Sequence, residues 1–399
     1  MSKDFIEKRY ITQRKIRAFF YSILYYMCSM FSIRKNKVVF WTFEGAGGFC
    51  CNPKYIAEEI IKRGGKYELV WLVDDMSYKF PEEIKKKKNT LWNRLYQLAT
   101  AKIWIGNSRT VYGTRKRKGQ IYIQTWHGTV CIKPIGKYRG KSFPEIAQIV
   151  SEADSKLIDY VLSGSDWCDF YYRDGLLYDG KIIRTGTPRC DVLFHGKKIL
   201  YQKIREEYKI PVNAKILLYA PTFRGGSQST NRSVMTVDFS IRFDQVIDEL
   251  ERRFGGEWYV FLRLHPQLAS KMKDKNSNYN SGRVIDVTQR PDMNELIVSA
   301  DAFISDYSSA IFEAALLKMP CYIYVEDYDE YIKDRGNLFF DLNDLPFPVA
   351  KDNGSLIVNI SSFNKEEYEE EVDKFIKKVG ICENGKASKE VVDLIEAFI

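Results

Sequence analysis

From Lys37 onward the chain alternates short, largely apolar runs with longer stretches of helical character. KVVFWTF, YELVWLV, AKIWIG, QIYIQTW and YVLSGS come first; KILLYAP, WYVFLRL, RVIDV, DAFISD and CYIYV follow. Runs that are apolar at successive positions belong to parallel strands buried on both faces. The alternation therefore predicts an α/β chain of doubly wound parallel sheets. A charged, helix-prone stretch over residues 197–209 ends at Ile210-Pro211 and divides the two series. We expect two Rossmann-like domains facing a cleft, residues 37–196 and residues 197–399. A length of 399 residues suits two such domains of roughly 200 residues each. Residues 365–399 read as two helices, and no repeat of solenoid or propeller period is present.

The segment ahead of Lys37 has a different character. Lys3, Lys8, Arg9, Arg14, Lys15 and Arg17 precede an uncharged stretch over residues 18–33, and Arg34, Lys35 and Lys37 follow it. That stretch is shorter than the roughly 20 residues that span a bilayer. No small-residue cleavage site follows it, which argues against a cleaved signal peptide. On a helix, Ser22, Tyr25, Ser29 and Ser32 form one narrow polar stripe, with Phe19, Phe20, Ile23, Leu24, Met27, Met30 and Phe31 around the rest. Residues 1–36 are expected to form an amphipathic helix in the membrane interface, its basic neighbours on anionic headgroups. The competing reading is a helix packed on the protein itself.

The formal charge is +9, a surface that attracts anions without naming them. The only concentrated basic run, Lys85, Lys86, Lys87 and Lys88, reads as a solvated helix end or loop. No nucleic-acid module signature is present. Eight cysteines occur without a CxxC pair, so they read as reduced, mostly buried thiols of a cytosolic protein.

Unusual polar residues fall at the ends of the expected strands. His127, Gly128 and Thr129 follow QIYIQTW; Thr222 and Arg224 follow KILLYAP; His265 follows YVFLRL; Asp306, Ser308 and Ser309 follow DAFIS. Ligands of doubly wound sheets bind beyond the carboxyl ends of the strands, so these groups can converge. His127 at such an edge can take a proton from an attacking hydroxyl, and Gly128 beside it leaves room for a ligand. His265 can bond a phosphate oxygen or a leaving group. Arg224 can fork onto phosphate oxygens. Ser308 and Ser309 precede AIFEAALLK and are expected to cap a helix whose positive end suits a diphosphate. Lys133 is a weaker anion contact. The turn Gly45-Ala46-Gly47-Gly48 matches neither GxGxxG nor a P-loop, and is read as a tight turn near the acceptor. Asp327-Tyr328-Asp329 reads as a solvated turn, and nothing calls for a metal or another cofactor.

In QTWHGT, GTPRCDVLF, ILLYAPTFR, LRLHP, ADAFISDYSS, IFEA and RGNLFFDL, taken in order, the chain resembles the CDP-glycerol glycerophosphotransferase family of teichoic acid synthesis. The resemblance covers roughly residues 37–342. It implies a glycosyltransferase-B-like fold with residues 37–196 on the acceptor side and 197–399 on the nucleotide-donor side, peripheral attachment at the cytoplasmic face of the cell membrane, and a CDP-glycerol or CDP-ribitol donor. It also implies a lipid-linked saccharide acceptor and release of CMP, with no nucleic acid involved. On it, His127 matches the base. His265, Arg224, Thr222, Ser308 and Ser309 match positions that handle the donor's phosphates and alcohol, and Asp306 orders that loop. Gly128, Thr129 and Lys133 are further acceptor or phosphate contacts. Val130, Phe223 and Glu313 depart from the family pattern, which leaves glycerol and ribitol both open. The short amino-terminal region favours a priming enzyme over a polymerase. The competing functions are a nucleotide-sugar glycosyltransferase of the same fold and a non-catalytic membrane-surface binding protein.

Overall fold

A computed structural model describes residues 3–222, 241–264 and 282–399. The expected strands fall into two sheets, joined there by three that were not expected, Ile84–Lys88, Lys181–Ile183 and Val349–Ala350. The first contains β1 (Arg34–Trp41), β2 (Glu68–Val73), β3 (Ile84–Lys88), β4 (Ala101–Gly106), β5 (Ile121–Gln124), β6 (Tyr160–Leu162) and β7 (Lys181–Ile183). Its order is β3-β2-β1-β4-β5-β6-β7, every neighbouring pair parallel. The second contains β8 (Lys215–Ala220), β9 (Trp258–Leu262), β10 (Val284–Asp286), β11 (Ala302–Ser305), β12 (Cys321–Tyr324) and β13 (Val349–Ala350). Its order is β10-β9-β8-β11-β12-β13, again all parallel. Strand order reverses at β1/β4 in one sheet and at β8/β11 in the other. Each reversal opens a crevice beyond the strands' carboxyl ends.

Two compact units result, and their boundary is not a single point in the sequence. The first comprises residues 1–127, 135–191 and 382–399; the second comprises 128–134 and 192–381. The helix Ala387–Glu396 thus belongs to the first unit, whereas a cut at 196/197 assigns it to the second. Its apolar face explains the difference. Val391, Val392 and Ile395 are fully buried in one core with Val38, Phe40, Ile56, Ile60 and Trp71. At its rim Arg63 pairs with Asp393 at 2.7 Å and Glu396 at 3.0 Å, tying the helix to Cys51–Arg63.

The lysine run is neither helix end nor loop. It is β3, an edge strand in register with β2, Lys85 opposite Val70 and Lys88 opposite Val73. Exposed lysines are a common guard on sheet edges, because charge discourages pairing with another chain.

The amino-terminal helix, Lys3–Cys28, lies on the first unit. Ser22 and Tyr25, from the expected polar stripe, are buried. Ser22 donates to the Gly113 carbonyl at 2.8 Å and Tyr25 to Gln120 Oε1 at 3.2 Å. Gly113 has φ +101, and a Cβ there would meet the Ala18 carbonyl at 2.4 Å. The face turned outward is the apolar one: Phe19, Phe20, Ile23, Tyr26 and Met27 are exposed, as are Met30 and Phe31 beyond the helix. No described helix is long and apolar enough to cross a membrane.

Candidate active site

In the first unit the chain turns sharply after β5. Trp126 has φ +47, a left-handed conformation that costs a bulky residue about 1–3 kcal/mol. Buried polar contacts hold it. Gln124 Oε1 accepts the Trp126 N–H at 3.0 Å. Asn52 Nδ2 donates to the carbonyls of Thr125 at 3.1 Å and Trp126 at 3.0 Å. Asn52 Oδ1 accepts the Arg189 N–H at 3.0 Å, and Arg189 Nη2 donates to the His127 carbonyl at 2.8 Å. Asn52 is fully buried, so its amide is reserved for this loop.

The turn presents the His127 ring half-buried at the carboxyl end of the sheet. Its Nδ1 lies 2.7 Å from the Asn107 carbonyl oxygen. A carbonyl only accepts, so Nδ1 carries the proton and Nε2 the lone pair. Trp126 stacks on the ring at 4.4 Å, and Phe43 meets it edge-on at 5.5 Å. Asn107 follows β4, so the loops after β1, β4 and β5 meet here, at the first sheet's reversal. An imidazole held in one tautomer by a backbone carbonyl is suited to proton abstraction at Nε2.

In the second unit the second reversal is organised by Asp306. Its carboxylate accepts the Thr222 N–H on both oxygens, each at 2.9 Å, the Thr222 hydroxyl at 3.1 Å and the Tyr307 N–H at 2.6 Å. That gives Asp306 the task of joining the ends of β8 and β11. Ser308 Oγ accepts the Ala310 N–H at 3.3 Å, at the start of the short helix Ala310–Ala315. Ser309 stands at the helix cap position, yet its side chain makes no capping bond. A Cβ on Gly128 would lie 3.5 Å from Ser309 Oγ, so this unit brings the Gly128 backbone next to that hydroxyl. Thr129 is fully buried and Lys133 is exposed. Asp327 begins a helix, Tyr328–Arg335, and accepts the Tyr307 hydroxyl at 3.3 Å; it is not simply a solvated turn. Glu313 is buried and accepts from Asn294 Nδ2 at 2.8 Å.

Arg224 and His265 lie outside the described residues. The structure adds Asn52, Asn107, Arg189 and Phe43, none of which the sequence reading singled out. Arg189 sits inside the GTPRCDVLF motif, a signal that it mattered, though not how.

A family model described as CDP-Glycerol:Poly(glycerophosphate) glycerophosphotransferase matches residues 23–397. The chain is 29% identical over 387 residues to a teichoic acid poly(glycerol phosphate) polymerase of Staphylococcus epidermidis, covering 92% of this chain and 51% of that protein. It is 29% identical over 394 residues to a teichoic acid poly(ribitol-phosphate) polymerase of Bacillus spizizenii, covering 96% of this chain and 60% of that one. The chain thus spans about half the length of the first relative and 60% of the second. Among solved structures, a histidine-to-asparagine variant of the wall teichoic acid polymerase TagF soaked with CDPG matches with a TM-score of 0.79, at 25% identity over 97% of each chain.

Proposed function

The chain belongs to the CDP-Glycerol:Poly(glycerophosphate) glycerophosphotransferase family, and from that membership we propose that it transfers a polyol phosphate from a CDP-activated donor to an acceptor hydroxyl. The polymer is of teichoic acid or capsular type. The acceptor oxygen attacks the donor's β-phosphorus, the bond from that phosphorus to the bridging oxygen breaks, and CMP leaves with the bridging oxygen. The acceptor's proton passes to His127 Nε2. One observation carries this reading: His127 holds its Nδ1 proton on the Asn107 carbonyl, which in the neutral imidazole puts the lone pair on Nε2.

The donor belongs to the second unit in this reading. Thr222, Ser308 and Ser309 contact its phosphates and alcohol, with Gly128 and Lys133 as further acceptor or phosphate contacts, while Asp306 keeps the loop in shape; Thr129, fully buried, is not among them. His265 and Arg224 complete the set by their match to the family motifs. Glycerol and ribitol donors are both supported by relatives that carry each name.

Purified protein, a lipid-linked disaccharide and CDP-glycerol, CDP-ribitol or a UDP-sugar form the test. We expect acceptor-dependent CMP release, falling by roughly a hundredfold to ten-thousandfold in His127→Ala with donor binding retained. UDP release from a sugar donor, with no CMP from either polyol donor, would overturn the reading.

The acceptor is lipid-linked and the protein works as a peripheral protein at the cytoplasmic face of the cell membrane, on anionic lipid. The outward apolar face of Lys3–Cys28 supports this, because burial of Ser22 and Tyr25 leaves Phe19, Phe20, Tyr26 and Met27 for the membrane. Replacing those four by serine should release the protein from vesicles containing anionic lipid. Equal sedimentation of variant and wild type would reject the membrane role of this face.

A further inference from the structure

The first unit spends backbone strain on one exposed ring. β1 ends at Trp41, and within three residues the chain enters two consecutive left-handed non-glycine conformations, Phe43 at φ +46 and Glu44 at φ +61. A bulky aromatic residue rarely adopts such a conformation, and it persists only where its surroundings over-determine it. Here they do. Buried Asn107 accepts the Phe43 N–H on Oδ1 at 2.8 Å, and buried Ser108 accepts the Glu44 N–H on Oγ at 2.8 Å. Asn89 Nδ2 donates to the Glu44 carbonyl at 2.7 Å. Space is cleared as well: a Cβ on Gly47 would lie 2.5 Å from Phe43 Cδ2. The glycine-rich turn therefore exists in part to let this ring lie down.

The outcome is not burial. Phe43 remains 41% exposed, with its ring edge-on to His127 at 5.5 Å and an interplanar angle of 64°. The residue that holds the Phe43 N–H, Asn107, is also the one whose carbonyl holds His127 Nδ1. Ring and base are thus fixed by the same buried residue. If Phe43 served only stability, folding would gain by burying the ring or by placing glycine at the left-handed position.

We propose that Phe43 is the stacking platform for the carbohydrate or polyol end of the acceptor, orienting the attacking hydroxyl toward His127. The C–H edges of such a group are weakly positive and suit the negative face of a benzene ring. This rests on the transfer reading for the identity of the acceptor, while the contact itself is measurable without turnover.

Three variants test it: Phe43→Ala, Phe43→Tyr and Phe43→Gly. Two readouts are needed, calorimetric binding of a short-chain lipid-linked disaccharide, and CMP release with either substrate varied. In Phe43→Ala we expect the disaccharide Kd and acceptor KM to rise by about fivefold to tenfold, the size of an aromatic contact, with the CDP-glycerol KM unchanged. Phe43→Tyr keeps the ring and should restore both values. Phe43→Gly is freed of the left-handed penalty and should melt no lower than wild type, yet show the same loss of acceptor binding, which a purely structural role would not produce. Disaccharide binding equal to wild type in the alanine and glycine variants would overturn the proposal. So would a rise confined to the CDP-glycerol KM, or failure of wild type to bind the disaccharide. Ring-dependent binding without any CMP release would leave the platform standing and remove the transfer reading instead.

Discussion

Asn52 shows how much a single amide can organise. It spans three segments, donating to two consecutive carbonyls and accepting the Arg189 N–H, all inside the protein. At about 1 kcal/mol for each bond lost, Asn52→Ala should cost on the order of 3 kcal/mol in urea unfolding. Because the strained Trp126 loop carries His127, the surviving folded fraction should also turn over more slowly at unchanged donor KM. Arg189→Lys keeps the charge but cannot reach the His127 carbonyl and Cys51 together as the guanidinium does. We expect its kcat to drop about tenfold; an undiminished kcat would mean the loop holds itself. The sequence singled out His127 because histidine is scarce and falls at a strand end. Asn52 was not legible: before Pro53 it reads as part of a helix start, while its partners lie 74 and 137 positions away.

Among the elements, β1 carries a fully buried charge. Lys37 Nζ donates to Thr100 Oγ1 at 2.7 Å and sits 5.1 Å over the Tyr96 ring. Burial pulls its ammonium down from 10.5 to about 8, partly offset by Glu68. Below about 8 both folded and unfolded chains hold the proton, so this group adds no pH dependence. Between about 8 and 10.5 the unfolded chain holds a proton that the folded one has released, so stability should climb with pH and then level off. Denaturant midpoints of wild type should show this climb and those of Lys37→Met should lack it. A parallel pH response in both would exclude Lys37 as its source. Strand existence was readable from apolar runs wherever both faces are buried. β3 escaped because four lysines carry neither an apolar run nor an alternation, and their pairing depends on β2. For the amino-terminal helix the sequence offered both a membrane-facing apolar side and packing on the protein, since periodicity gives two faces without saying which one the protein takes.

For the whole chain, the sequence gives two α/β series in the right order, and both sheets form. What it could not give was the return of residues 382–399 to the first unit, because an amphipathic helix does not name the sheet it covers. A chain ending after residue 381 should therefore retain the second sheet but leave Val38, Ile56 and Trp71 with an uncovered core. We expect dye binding to exposed apolar surface and loss of the first unit's cooperative melting transition. A truncated chain with both transitions intact would contradict this.

The same return has a bearing on birth at the ribosome. Most of the first sheet emerges early, but the helix that closes its core follows the whole of the second unit in the sequence. Until then a nascent chain carries an open apolar groove along Cys51–Arg63 through synthesis of the entire second unit, and it is in that interval that a chaperone would find its binding site.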